Sequence, residues 1–298
     1  MNQAATDEVI NQIHSVYSRW GRGTSVSKMR HDWDAFFSLR SAPWPIQSVQ
    51  AGGVAAEWIA EQDSPSDRAI LYLHGGGFRI GSIASHRDLM QRLAQAAQTR
   101  VLGIDYRLSP EHLFPAPVED ALSAYRWLLD QGLAPARIAI VGDSAGGGLA
   151  VSTMLAARSR GLKLPGAAVL MSGWMDLEAS GQSYTALAEI DPINQRAMIV
   201  AMARGYLGPA GNPKDPLASP LLGDLSGLPP ILLQCGSSEI VLDDTFAFAE
   251  RARQAGVTVE VQIFEDMIHV FQMFAAELSE ARRAITSAGS FVLTHVGN

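Results

Sequence analysis

Short apolar segments alternate with longer amphipathic segments through most of this 298-residue chain, from about residue 46 onwards. The segment 138–141, with the sequence IAIV, is apolar throughout, as expected for a strand that is covered on both faces. The alternation predicts an α/β fold in which helices flank a mostly parallel sheet on both sides. We expect strands over 54–60, 69–73, 100–104, 138–142, 167–171, 230–235 and 258–264, and helices over 85–98, 117–131, 145–160, 241–255 and 275–293.

Two segments stand outside this alternation. Residues 7–37 carry apolar side chains at a spacing of three to four residues, which predicts helices. Residues 174–228 are too long for an ordinary connection between strands and contain one expected helix, at about 193–207. The predicted organisation is an N-terminal helical cap segment at 1–45 and a catalytic domain at 46–298, with a second cap segment at about 174–228.

Composition excludes several classes of partner and site. The net charge of −7 argues against nucleic acid and anionic membrane surfaces. The N-terminal residues lack the basic and apolar regions of a secretory signal, and no apolar stretch is long enough to span a membrane, so we expect a cytoplasmic protein. The single cysteine, Cys235, excludes an internal disulfide and a cysteine-based metal site, and its apolar surroundings predict a buried, inert thiol.

The segment Gly142-Asp143-Ser144-Ala145-Gly146 lies between an expected strand and an expected helix. A sharp strand-to-helix turn crowds the residues two before and two after its central serine, and glycine at both positions relieves that crowding. Such a turn exposes the serine hydroxyl at the end of the sheet and predicts that Ser144 is a nucleophile. The alternative is a glycine-rich turn whose serine only caps the following helix.

The segment His74-Gly75-Gly76-Gly77-Phe78 directly follows the strand expected at 69–73. Successive glycines let backbone N–H groups converge on one point, as an oxyanion site for acyl transfer requires. We expect Gly76, Gly77 and Ala145 to donate these hydrogen bonds, and His74 to brace the loop. A flexible turn or a phosphate-binding loop is the alternative, but the lysine and the glycine spacing of phosphate-binding motifs are missing.

A serine nucleophile on such a turn is followed along the chain by an acid and then by a histidine. Only His269 and His295 follow Ser144, and His269 comes directly after the last expected strand, so it is the predicted base. The acid should follow the preceding strand at 230–235. Glu239 comes first after that strand and is preferred over Asp243 and Asp244, which fall where the next helix begins and could instead stabilise its N-terminus.

At these residues the chain resembles the bacterial hormone-sensitive-lipase-like esterases, the family IV carboxylesterases of the α/β-hydrolase superfamily. The resemblance covers about residues 40 to 290 and is carried by HGGGF, by GDSAGG, by YRLSPEHLFPAPVEDA at 106–121 and by DPLASP at 215–220. It implies an α/β-hydrolase core with a helical cap built from the N-terminus and the 174–228 insertion. It also implies hydrolysis of short- to medium-chain acyl esters without a cofactor or a metal.

The chain departs from the family pattern around the acid. Members of the family usually carry Asp-Pro-Leu-x-Asp, whereas the matching residues here are Glu239-Ile240-Val241-Leu242-Asp243. A carboxylate is retained at the first position, but its side chain is one carbon longer. Asp243 therefore stays open as the rival acid.

The expected reaction is serine-dependent ester hydrolysis of a small-molecule substrate through an acyl-enzyme intermediate. A lactone hydrolase with the same triad is the nearest alternative, and amide or carbamate cleavage is a weaker one. A receptor-like binder, as in the plant gibberellin receptor that resembles this family, is a further alternative. The cap aromatics Trp20, Trp33 and Phe36 could line a pocket or pack the cap. Related esterases also suggest a homodimer through 258–264 and 275–293, the first of which should be a sheet edge.

Overall fold

The computed structural model describes residues 3–61 and 64–297. Residues 1 and 2 of the predicted N-terminal cap segment and residues 62, 63 and 298 of the predicted catalytic domain lie outside the described residues. Within the described residues, eight strands form one sheet with the order β1-β2-β4-β3-β5-β6-β7-β8. The strands are β1 (Ile46–Ala51), β2 (Val54–Ile59), β3 (Ala69–Leu73), β4 (Arg100–Ile104), β5 (Ile138–Asp143), β6 (Ala167–Met171), β7 (Ile231–Gly236) and β8 (Val259–Phe264).

Most of the helices lie between successive strands along the chain. The others lie inside the two predicted cap segments. They are α1 (Gln3–Tyr17), α2 (Val26–Ser38), α3 (Ile83–Ala96), α4 (Ala116–Asp130), α5 (Ala145–Ser159), α6 (Ser183–Ala186), α7 (Arg196–Leu207), α8 (Leu242–Gln254) and α9 (Ser279–Val296). Helices α1 and α2 come from the N-terminal segment, and α6 and α7 lie in the 174–228 insertion.

The sheet is parallel from β4 through β3, β5, β6 and β7 to β8. Strand β2 pairs antiparallel with both β4 and β1. The prediction of a mostly parallel sheet flanked by helices is therefore confirmed. Because parallel strands all end at the same edge, the segments that follow β3, β5, β6, β7 and β8 meet at one side of the molecule.

Alternate residues of the central strands enter two separate apolar cores. Along β5, Ile138 and Ile140 belong to the core on one face of the sheet, which includes residues of α4, α5 and α8. Ala139 and Val141 belong to the core on the other face, which includes residues of α3 and α9. Both faces of β5 are thus removed from water, which explains why its sequence is apolar without alternation.

The structure differs from the predicted elements at a few places. Strand β1 was not predicted, because four of its six residues are exposed and three are polar, so the segment gives no apolar signal. The last helix begins at Ser279 rather than 275, because residues 275–277 form a turn and Leu278 has an extended backbone, and it extends to Val296. His295 therefore lies inside α9, where its ring packs on Phe291, and not beyond the helix as the sequence suggested.

The single cysteine lies in the core of the sheet, as the sequence predicted. Cys235 lies in β7, is buried and free, and burial raises the pKa of its thiol well above the ordinary value. Its thiolate is accordingly disfavoured, as expected for an inert core residue. Among the described helices, none is both long and apolar enough to cross a membrane.

Candidate active site

Ser144 occupies a sharp turn between β5 and α5. Its backbone has φ 51° and ψ −121°, a conformation that residues with a Cβ rarely adopt. A Cβ at Gly142 would lie 2.2 Å from the Gly146 carbonyl oxygen, and one at Gly146 would lie 2.0 Å from the Leu73 carbonyl oxygen. The two glycines of the motif are therefore required by close backbone approach, and the turn holds the serine at the end of β5.

A line of hydrogen bonds joins three of the predicted site residues. Ser144 Oγ is 2.8 Å from His269 Nε2, and His269 Nδ1 is 2.7 Å from Glu239 Oε2. Because a carboxylate can only accept, Nδ1 carries the proton and Nε2 is left free to accept the serine hydroxyl proton. This is the geometry that a nucleophile, a base and an orienting acid require.

Glu239 is completely buried, yet its carboxylate has several donors. Its Oε1 accepts from Ser172 Oγ at 2.8 Å and from the backbone N–H of Gly236. Ser172 Oγ also accepts from the backbone N–H of Val270, the residue after His269, at 3.1 Å. Ser172 thus links the acid to the segment that carries the histidine. Sequence reasoning missed this residue, because a lone serine after a strand gives no signal.

The environment of His269 favours its charged form. Burial lowers the pKa of His269 and is the largest single effect, whereas the hydrogen bond and the charge of Glu239 raise it. The charges of Asp191 and Asp143 act in the same direction, and the net pKa lies above the ordinary value of 6.5. The site therefore favours the protonated form of the His269 imidazole.

The structure separates the rival residues from this line. The Asp243 carboxylate accepts from the backbone N–H of Ser183 at 2.9 Å and so bonds to α6 of the insertion. Asp244 accepts from the backbone N–H groups of Met175 and Asp176, and burial raises its pKa to about 7. His295, the other possible base, packs within α9 as described above. Glu239 and His269 are the members of each set that the fold brings to Ser144.

The glycine loop after β3 is fastened to the serine turn by Asp143. This buried carboxylate accepts from the Gly75 N–H at 3.0 Å and from the Tyr72 hydroxyl at 2.6 Å, and it lies 3.4 Å from His86 Nε2. Burial alone would raise the pKa of Asp143, but the contacts with His86 and Tyr72 lower it below the ordinary value. The second residue of the GDSAG motif therefore holds the loop in place, a role not assigned from the sequence.

Gly76 and Gly77, the next residues of the loop, have φ values of +109° and +63°, which favour glycine. No hydrogen bond to another described residue uses their N–H groups. Both residues line the same cavity as Ser144. The N–H of Ala145 is the first of α5 and has no acceptor within its own helix. These three N–H groups are thus available to a ligand beside the serine.

His74 supports the loop, as the sequence suggested. Its ring stacks on Tyr106 at 4.2 Å, the Tyr106 hydroxyl donates to its carbonyl oxygen, and its Nδ1 lies 2.8 Å from the Gly75 carbonyl oxygen. Burial lowers the pKa of His74 to about 3, so the ring is neutral at physiological pH.

A cavity of about 240 Å³ opens in front of Ser144 and His269. Its walls combine the glycine loop with residues from α1, α2, α7 and the loops beside them. Trp20 and Trp33 line it and pack with Tyr17, whereas Phe36 packs on Phe37 and on the Arg40 guanidinium instead. The other residues from the N-terminal segment and the insertion that line it are Tyr17, Met29, Trp174, Asn194, Met198, Ile199 and Met202.

Asp191 joins the insertion to the loop that follows β7 and contains Glu239. Its buried carboxylate accepts from the backbone N–H of Ile240, the residue after Glu239, at 3.0 Å. Its other oxygen accepts from the N–H groups of Ile193 and Asn194, each at 2.9 Å. His14 of α1 also contacts the Pro192 carbonyl oxygen, at 2.6 Å from Nε2. The sequence analysis assigned no role to Asp191.

Comparison with known proteins decides the family. A family model described as the alpha/beta hydrolase fold matches residues 70–273. The chain is 44% identical over 266 residues to an acetyl-hydrolase of Streptomyces hygroscopicus, covering 89% of this chain and 87% of that protein. It is 38% identical over 246 residues to an esterase of Acinetobacter venetianus, covering 83% and 81% of the two chains.

A crystal structure of an esterase from the bacterial hormone-sensitive lipase family superposes with a TM-score of 0.95 at 44% identity and covers 99% of both chains. The chain belongs to the hormone-sensitive-lipase-like esterase family. The predicted family, the α/β-hydrolase fold and the carboxylic ester hydrolase class are thereby confirmed. In this esterase the hydrogen bonds of Glu239 allow its role to be tested by substitution.

Glu239→Gln should lower kcat by several orders of magnitude with little change in KM. The Gln carbonyl oxygen can keep the bonds from Ser172 and Gly236, which turns its NH₂ group toward His269 Nδ1. His269 must then carry its proton on Nε2, the wrong tautomer for a base, and the equivalent change in another triad costs on the order of 10⁴-fold. Steady-state kinetics with a short aryl ester measure the effect.

The matched control is Asp243→Asn, which should leave kcat near wild type and cost about 1 kcal/mol of the free energy of unfolding.

The pH dependence of kcat/KM is a second measurement of the role of Glu239. Because the pKa of His269 is raised, kcat/KM of the wild type should fall with decreasing pH through a midpoint above about 6.5. In Glu239→Gln the midpoint should move to lower pH, since burial remains without the carboxylate charge. An unchanged Glu239→Gln enzyme beside an impaired Asp243→Asn enzyme would exchange the two roles.

Proposed function

We propose that this esterase hydrolyses small carboxylic esters through an acyl-enzyme on Ser144, with His269 as general base and acid and Glu239 as the orienting acid. The N–H groups of Gly76, Gly77 and Ala145 form the oxyanion hole in this proposal. The observation that supports it most directly is the continuous line from Ser144 Oγ through His269 to Glu239, with distances of 2.8 and 2.7 Å.

Acylation starts with attack of Ser144 Oγ on the ester carbonyl carbon. His269 Nε2 takes the hydroxyl proton, and the raised pKa of His269 assists this transfer. Negative charge develops on the carbonyl oxygen, where the N–H groups of the glycine loop and of Ala145 stabilise it. His269 then gives the proton to the alcohol oxygen, the C–O bond breaks, and the alcohol leaves.

Deacylation repeats these steps with water. His269 Nε2 removes a proton from water as its oxygen attacks the acyl carbon, and the oxyanion is held in the same place. Collapse of this intermediate breaks the bond to Ser144 Oγ, which regains its proton from His269. The acid product is released, and Glu239 keeps the imidazole in one tautomer through both halves of the cycle.

Ser144→Ala should lower hydrolysis of 4-nitrophenyl acetate by on the order of 10⁴-fold or more, because the residues of a triad act as a unit. A fluorophosphonate should modify the wild-type chain once, at Ser144, as read by mass spectrometry. Ser159→Ala on the exposed end of α5 is the matched control and should keep both activity and labelling. Retention of a tenth of the activity by Ser144→Ala would refute the proposed nucleophile.

The substrate should be short to medium in its acyl chain. The cavity of about 240 Å³ is smaller than the sites that hold drug-sized ligands, and α1, α2 and α7 wall it like a cap. The name of the Streptomyces relative, an acetyl-hydrolase, is in line with a small acyl group. The helical segments are accordingly proposed to act as the cap of this site.

Across 4-nitrophenyl esters from acetate to dodecanoate, kcat/KM should peak at a short or medium chain and then fall, because a closed cavity limits chain length. Met198→Ala removes part of the wall and should shift the optimum toward longer chains. A wild-type rate that keeps rising to the longest, insoluble esters would instead indicate a lipase.

A homodimer is proposed through the β8 edge of the sheet. Among the described strands β8 pairs only with β7, and it places Ile263, 37% exposed, at this edge. Strand β8 thus has the edge position that its sequence predicted. An exposed edge can pair with a second copy of the chain, and α9 is the next α-helix along the chain.

Light scattering at micromolar concentration should return twice the 32.0 kDa mass of the chain. Ile263→Lys should shift the mass toward that of the monomer, because a charge on the edge opposes strand pairing. Phe246→Lys, at an exposed apolar residue of α8, is the control and should keep the wild-type mass. A wild-type mass of one chain would remove the dimer.

A further inference from the structure

Arg79 lies two residues after Gly77 and lines the cavity in front of Ser144. Its backbone is held on both sides, because its N–H donates to the Gly76 carbonyl oxygen at 3.1 Å and its carbonyl oxygen accepts from Arg30 Nε at 2.9 Å. The base of the side chain therefore has a fixed place beside the glycine loop. Among the described residues that line this cavity, Arg79 is the only arginine or lysine.

The Arg79 guanidinium has no acidic partner within the described chain. Other arginines pair with carboxylates, as Arg30 does with Glu111 at 2.7 Å and Arg87 with Glu57 at 2.6 Å. No such ion pair and no hydrogen bond joins the guanidinium of Arg79 to another described residue. Its Nε is buried, whereas the terminal Nη1 and Nη2 atoms remain accessible. These two terminal nitrogens are the atoms that a ligand can reach.

The carboxylate on the wall of the same cavity is already engaged elsewhere. Asp143 is buried, and its oxygens contact Tyr72, Gly75 and His86. It is the only acidic residue among the described residues that line the cavity. This part of the described chain therefore offers a ligand one accessible guanidinium and no accessible carboxylate that could neutralise it.

An arginine side chain that is partly withdrawn from water is normally paired. Its guanidinium is always charged, and removing it from water without an opposite charge costs free energy. Its planar array of N–H donors matches the two oxygens of a carboxylate, and the resulting charge-assisted hydrogen bonds are stronger than those between neutral groups. A carboxylate of the ligand would supply the counter-charge that the described chain does not give to Arg79.

The remaining wall suits the carbon part of such a ligand. Trp20, Met198 and Ile199 contribute apolar surface. The Tyr17 hydroxyl also lines the cavity, and burial, followed by the charge of Asp191, raises its pKa above the ordinary value. This hydroxyl is therefore a neutral group that can donate or accept a hydrogen bond. One charged group in a largely apolar wall favours a small carbon skeleton with a single carboxylate.

We propose that Arg79 binds a carboxylate of the substrate through Nη1 and Nη2 while Ser144 attacks the ester group. The preferred substrate class is then a small ester with one free carboxylate, either a half-ester of a dicarboxylic acid or a hydroxy acid whose hydroxyl group is acylated. Water cleaves only the ester bond, so the first kind yields a dicarboxylate and an alcohol, and the second yields a hydroxy acid and a short carboxylic acid. This inference rests on the proposed function, because it assumes that Ser144 attacks an ester in the same cavity.

The test uses pairs of esters of nearly equal size in which a methyl ketone replaces the carboxylate. For the acyl side the pair is monoethyl succinate and ethyl levulinate. For the alcohol side it is acetoxyacetate and acetoxyacetone. The measured quantity is the ratio of kcat/KM for the carboxylate to kcat/KM for the ketone, from acid release at constant neutral pH. Comparing this ratio between enzyme variants cancels the intrinsic reactivity of the two esters.

Arg79→Met keeps much of the length of the side chain and removes its charge. It should lower the carboxylate-to-ketone ratio by about tenfold to a hundredfold in at least one pair, the range expected for hydrogen bonds to a charged group. Arg79→Lys keeps the charge without the fork of donors and should retain part of the ratio. A role of Arg79 in the fold or at the oxyanion would change both members of a pair equally.

The matched control is Arg126→Met, at an exposed arginine of α4 that does not line the cavity. It removes the same charge from the chain and should leave the ratio at its wild-type value. An unchanged ratio in both pairs for Arg79→Met would overturn the inference, and so would an equal fall of the ratio in Arg126→Met.

If Arg79→Met does not fold, the salt dependence of the wild type decides. Its ratio should fall in at least one pair as NaCl is added, because salt screens the attraction between the carboxylate and an accessible cation. A ratio that stays constant or rises in both pairs would overturn the inference. Failure of the proposed function would look different, as a wild type that hydrolyses no ester or as full activity of Ser144→Ala. Normal hydrolysis with insensitive ratios would remove only the carboxylate site.

Discussion

At Ser144 the backbone passes from strand β5 into helix α5 through a single residue with a positive φ, and the rest of the site depends on that turn. Gly146 lies against the Leu73 carbonyl oxygen, so the turn packs directly on the end of the neighbouring strand β3. This contact sets the serine beside the glycine loop that follows β3. The segments after β6, β7 and β8 then deliver Ser172, Glu239 and His269 to the same edge, because the strands are parallel.

Two buried carboxylates lie beneath this edge, and each is supplied with donors. Glu239 accepts from Ser172, Gly236 and His269, and Asp143 accepts from Tyr72 and Gly75. A buried charge without such partners would cost several kcal/mol. With them, the charges fix the orientation of the histidine and of the glycine loop. The negative potential of the pair also contributes to the raised pKa of His269.

The insertion is tied to the sheet at the same place where the chemistry is proposed to occur. Asp191 bonds both to Ile240, next to Glu239, and to Asn194, which lines the cavity. A single carboxylate therefore connects a wall of the cavity in front of Ser144 to the loop that carries Glu239. The cavity wall and the segment that carries Glu239 are consequently held together by backbone hydrogen bonds to one side chain.

The sequence by itself determined the sheet strands from β2 onwards, the two glycine motifs and the order of serine, acid and histidine. These signals are local, because apolar runs, positive φ values and close backbone approach each impose a residue type at a known place. The tertiary structure decided which carboxylate contacts His269 and which of the aromatic residues of the N-terminal segment face the cavity. It also brought Ser172, Asp143 and Asp191 into the hydrogen-bond network around Ser144. Contacts of this kind link residues that are distant along the chain, as the separation of Ser172 from Glu239 shows, so no pattern within one segment specifies them. Strand β1 was not predicted for a related reason. Its exposed residues give no apolar signal, and only its pairing with β2 identifies it as a strand.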